Sequence, residues 1–227
     1  MDMHSPFRMV NTTAELVENL VAREGTAGHG YCAGAIAREA DSFARKAVDF
    51  ADAVHHLSLL HGHVPGVIDH AATRIADNAA RDWVVRAVDG FSRERLYLNA
   101  IVVAAGPLPS TSGQDQVTTI VAQQCRALDM LAQSDRRGCA IGAAMALVLD
   151  WEAIRAILNI GAARLGIEPR ESQLPSAQET YAVLDILEQD HPIGRAVQFG
   201  ASQLLGQHRG VWDLLQARSQ VRAVSAE

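Results

Sequence analysis

Apolar residues recur along this chain in steps of three and four, punctuated by glycine and proline, and that rhythm predicts helices throughout. Thr12 and Glu15 form a capping box ahead of Leu16, Val17, Leu20 and Val21, so a first helix is expected to end near Glu24. Gly25, Gly28, Gly30 and Gly34 read as a flexible loop. A long second helix is expected over residues 33–60, on a seam of Ala33, Ile36, Ala40, Phe43, Ala47, Phe50, Val54 and Leu57. Gly62, Pro65 and Gly66 break it. A third helix runs to Val88, with Ile68, Ala72, Ile75, Ala79 and Trp83 inward, Asp77/Arg81 and Asp82/Arg86 as ion pairs, and Asp89 and Gly90 as its stop.

Ser92 then caps a fourth helix through Leu96, Leu98, Ile101, Val102 and Val103, which Gly106 and Pro107 terminate. A fifth helix is expected over about 114–132. The sixth, about 139–165, is apolar almost all round in its first half, the mark of a helix touched on several sides and hence central. Ser176 with Glu179 opens a seventh helix to about Asp190, and Pro192 separates it from a last one through Val197, Ala201, Leu204, Val211 and Leu215. No stretch alternates with a period of two. The expected fold is all-α: one helical bundle of seven to eight helices over 11–220, with an extended or disordered segment at 1–10 and a frayed tail at 221–227.

Composition narrows the partners. With 48% hydrophobic but only 5% aromatic residues, the core must be built from Ala, Leu, Ile and Val. A net charge of −6 argues against a nucleic-acid surface, which needs clustered positive charge. Lys46 is the sole lysine, a bias toward arginine that reads as composition. Three scattered cysteines, Cys32, Cys125 and Cys139, indicate neither disulfide framework nor zinc knuckle and suit a reducing cytoplasm. Residues 1–10 lack the apolar core of a secretory signal, and no apolar run reaches the ~20 residues of a membrane span.

Candidate chemistry rests on histidine. His55, His56, His61, His63 and His70 cluster near the second turn with Asp49, Asp52 and Asp69, but helical phase puts Asp49, Asp52, His55 and His56 off the apolar seam, which predicts a solvated helix end. His61 falls on that seam one turn beyond Leu57, and His208 sits between Leu204 and Val211 where the last helix needs an inward side chain. Asn99, Gln124, Asp150 and Asn159 lie in apolar runs and need partners, Asp150 from Arg126 or Arg155. The glycines of Gly25 to Gly30 stand between helices and lack the strand-to-helix context of a phosphate loop.

Glu188-x-x-His191 resembles the Glu-x-x-His element of ferritin-like di-iron carboxylate proteins, in which two such elements and two further glutamates hold two metals. Asp52-x-x-His55, with aspartate for glutamate, is the sole candidate for the second element, and Pro192 pushes His191 away from helical geometry. In length and all-helical character the chain is also similar to heme-oxygenase-like bundles. Two functions are therefore expected. One is an interior metal or small-ligand site, oxidase-like, built from His208, His191, Glu188 and His61 around iron, manganese or zinc. The other is a helical interaction protein that self-associates and holds no cofactor.

Overall fold

A computed structural model describes residues 12–74 and 78–225, and among them every regular element is helical. The helices are α1 (Thr13–Glu24), α2 (Gly30–Ile36), α3 (Ala47–His61), α4 (Val67–Arg74), α5 (Asn78–Ala105), α6 (Gln114–Ala132), α7 (Cys139–Arg164), α8 (Ala177–Leu187) and α9 (His191–Ser225). They form one bundle around α7, which is buried at every position from Cys139 to Trp151 and touches nearly all the others. Both expected capping boxes are present, at Thr12 and Ser176. No helix of the described residues is long and apolar enough to cross a membrane.

The most extensive packing is between α7 and α9, and glycine makes it close. A Cβ on Gly142 would strike the backbone of Val197, and one on Gly200 would strike the carbonyl of Cys139. Backbone thus meets backbone, and Leu147 and Trp151 of α7 and Leu204 and Trp212 of α9 are each wholly buried. Full burial of each such side chain contributes about 1.5–3 kcal/mol.

Three elements differ from the sequence expectation. The second helix is two, because Arg38 adopts a left-handed conformation (φ 61°) and ends α2. There the Glu39 amide donates to the Gly34 carbonyl and the Arg38 amide to that of Ala35, the bonding of a helix-terminating turn. A 3-10 turn at Phe43–Arg45 leads into α3. Conversely, Gly90 stops nothing. α5 runs through it, because Gly90 serves close approach: a Cβ there would lie 2.6 Å from the Gln173 carbonyl oxygen of the loop before α8. Ser92 caps no helix and instead donates back to the Val88 carbonyl. Finally, the last helix extends past Val221, and α9 ends at Ser225. The expected segment at 1–10, the Asp77/Arg81 pair and the inward Ile75 lie outside the described residues, and Arg86 pairs with Glu179 at 2.5 Å rather than with Asp82.

Candidate functional site

At the centre of the bundle three helices bring together two imidazoles and a carboxylate. Nε2 of His61, the last residue of α3, lies 2.9 Å from Nε2 of His208 in the middle of α9. The other ring nitrogen of His208, Nδ1, lies 2.6 Å from Oδ2 of Asp150 on α7. All three are buried, His61 and His208 to 2% exposure and Asp150 to 1%.

The turn between α1 and α2 holds the carboxylate. Thr26 donates its amide to Asp150 Oδ1 and its hydroxyl to Oδ2, each at 2.7 Å, and Trp212 Nε1–H donates to the Thr26 hydroxyl at 2.9 Å. A Cβ on Gly25 would collide with Asp150 Oδ1, so glycine is what lets this turn wrap the carboxylate. The glycine-rich segment that lacks the setting of a phosphate loop therefore cradles an anion that belongs to the protein. With His208, Asp150 takes three donors, an arrangement suited to a group that can only accept.

His61 is walled by aromatic edges, with the Trp151 ring centroid at 5.7 Å and that of Phe91 at 6.3 Å. Burial holds its pKa well below the ordinary imidazole value, and the charges of His208, His63 and Arg95 push the same way. Its backbone is pinned as well: Arg95 Nε–H donates to the His61 carbonyl while the same guanidinium pairs with Asp69 at 2.6 Å, and Asp69 accepts the Gly66 amide. Cys32 lies within the electrostatic reach of Asp150, and burial followed by that charge pushes its thiol far up, which removes it as a nucleophile.

Of the four side chains expected to form one metal site, the fold unites two. His191 is exposed at the start of α9, almost five turns from His208, or about 25 Å along the helix. Glu188 accepts the Thr13 amide at 2.9 Å and so caps the first turn of α1. The second half of the di-iron resemblance does not assemble either, because Asp52 is occupied by arginines and His55 Nε2 meets the Gly106 carbonyl at 2.8 Å. Among the described residues no three His, Cys, Asp or Glu side chains converge as a metal would require.

The face expected to be a solvated histidine-rich end is buried. Asp49, Asp52 and His56 are covered by the C-terminal turns of α9, which supply two arginines. Arg218 pairs with Asp52 through Nε at 2.7 Å and Nη2 at 3.0 Å, and Arg222 bridges Asp52 and Asp49, both at 2.7 Å. Burial alone would raise the Asp52 pKa, yet the hydrogen bonds from Arg218 and Arg222 outweigh it and hold it below the usual carboxylate range. Asp150 also departs from expectation, since its partners are Thr26 and His208. Arg155 pairs with buried Glu94, which accepts Trp151 Nε1–H as well. Thr26 and Trp212 escaped the sequence reading because a threonine in a glycine turn and a tryptophan on a seam carry no sign of chemistry.

The fold and the site define a class: an all-helical bundle organised round a buried histidine–histidine–aspartate chain. The chain belongs to a family of unknown function, DUF6975, whose model matches residues 21–223 and so spans all three members of that chain. No curated protein and no solved structure matches it.

Proposed function

We propose that this protein is an interior acid–base centre, in which His61 exchanges a proton with a small ligand while His208 and Asp150 store the charge. The carrying observation is the unbroken run of contacts, 2.9 Å between the imidazoles and 2.6 Å to the carboxylate. Only one proton fits between the two Nε2 atoms. With both rings neutral and His208 Nδ1–H donating to Asp150, His61 Nε2–H must donate to His208. When His61 Nδ1 takes up a proton, the shared proton crosses to His208, and the positive charge comes to rest on the ring that faces the carboxylate. His61 then stays neutral, as its apolar walls require, and acts as the working acid or base.

A transition metal that His61 and His208 would hold is the second reading, supported by the carboxylate behind His208, which is how metal-bound histidines are commonly oriented. Two nitrogens fall short of the three or four protein ligands typical of zinc. Elemental analysis of untagged protein and histidine-selective 15N NMR separate the readings. The acid–base centre predicts no stoichiometric iron, manganese or zinc, one strongly downfield His208 Nδ1 proton, and coupled titration of the two rings. Stoichiometric metal lost in His208→Ala, with helicity retained, would replace it by a metal site. Independent titration of both rings as solvated imidazoles, in a protein that light scattering shows to be oligomeric, would favour the interaction protein.

A further inference from the structure

Far from the buried relay, the end of α7 and the turn after α2 enclose a surface cleft of about 580 Å³. Its polar lining consists of donors. Arg38, Arg45 and Arg164 border it, together with Asn159, whose Oδ1 already accepts the Tyr97 hydroxyl at 2.8 Å and whose amide hydrogens remain to donate. No carboxylate lines the cleft, and among the described residues none of the three arginines has one within 4 Å, whereas eight other arginines of the fold do. In a chain of net charge −6, three such arginines around one depression concentrate positive charge there. The floor is apolar, formed by Ile36, Ile160 and Pro169.

Arg38 carries a second observation. It is the sole non-glycine residue of the described chain with positive φ, at the helix-terminating position that glycine ordinarily takes. A side chain at that position costs stability relative to glycine, and the residue that bears it lines the cleft.

We propose that the cleft binds a small soluble organic phosphate, its anionic head between the guanidinium groups of Arg38, Arg45 and Arg164 and its apolar body on the Ile36, Ile160 and Pro169 floor. Planar guanidinium forks match phosphate oxygens in pairs, and the Asn159 amide adds a neutral donor.

The experiment titrates full-length protein with phenyl phosphate and with inorganic phosphate by calorimetry at two salt concentrations. Wild type is expected to bind phenyl phosphate, more tightly than inorganic phosphate, and less so at high salt. Arg164→Gln should weaken binding about tenfold, the worth of one charge-assisted hydrogen bond. Arg38→Gly should weaken it similarly while raising Tm, because the left-handed position is relieved; lost binding is then not lost folding. Absence of phenyl phosphate binding, equal affinity in both variants and wild type, or binding only to vesicles of anionic phospholipid would each overturn the proposal.

Discussion

His208 Nδ1 stands 2.6 Å from Asp150 Oδ2, although the two residues lie 58 positions apart on different helices and both are excluded from water. The contact couples α9 to α7 about two turns beyond their close backbone approach at Gly142 and Gly200. Asp150→Asn keeps the shape but puts an amide where His208 needs an acceptor, and it deprives Thr26 of a charged partner. Stability should fall by about 3 kcal/mol, the cost of disrupting a buried charged hydrogen bond. In a urea double-mutant cycle with His208→Gln, a coupling above about 1 kcal/mol is expected; penalties that simply add would show that the two side chains act independently.

The pH dependence of stability should have two separate stages. His61 and His56 have folded pKa values lowered chiefly by burial, so the unfolded chain takes up their protons first as pH falls. Their contribution is full above the ordinary imidazole value of 6.5 and is lost progressively below it. Asp52 is also lowered, but from 3.8, so the Arg218 and Arg222 pairing keeps its contribution until the medium is more acid than that. Urea midpoints measured from pH 8 to 3 should decline first between about pH 6.5 and 5. A flat profile across that interval would mean that the buried imidazoles protonate in the folded protein as they do in water.

Much of this fold is legible in helical phase alone. The capping boxes, α6 and the all-round apolar α7 follow from spacing, and the inward phase of His61 and His208 was enough to place both in the interior. What phase cannot supply is the identity of the neighbour. Asp49, Asp52 and His56 lie off the apolar stripe of α3 and look solvated until α9 covers them with Arg218 and Arg222. Gly90 reads as a stop because the sequence does not reveal the Gln173 backbone that passes against it. Asp150 signals its need for a partner but not that the partner is a threonine in a glycine turn more than a hundred residues upstream.

The C-terminal turns of α9 are therefore structural. Arg218 is 3% exposed, and Arg222 crosses to both aspartates. Deletion from Val221 onward should cost more than about 1 kcal/mol, since it strips Arg222 from two buried carboxylates. Arg218→Ala should cost about 3–5 kcal/mol, the penalty for leaving Asp52 charged with its principal partner gone. Unchanged thermal unfolding of the truncated chain would show that Arg218 alone neutralises the pair.

Gly142 and Gly200 mark the closest approach of α7 and α9, and alanine at either must push the helices apart. An exposed Gly→Ala change inside a helix ordinarily stabilises by up to about 1 kcal/mol through propensity. Here that gain opposes a Cβ driven into the Val197 backbone at Gly142, or into the Cys139 carbonyl at Gly200, where no side chain can rotate away. Overpacking of this kind costs about 1–3 kcal/mol or more, so net destabilisation is expected at both sites. Separation of α7 from α9 also lengthens the contact between Asp150 and His208. Gly200→Ala should thus weaken the downfield Nδ1 proton signal of His208, whereas Gly206→Ala, on the same helix with open space around its Cβ, should raise stability and leave that signal unchanged. Equal responses from the two variants would remove close helix contact as the cause.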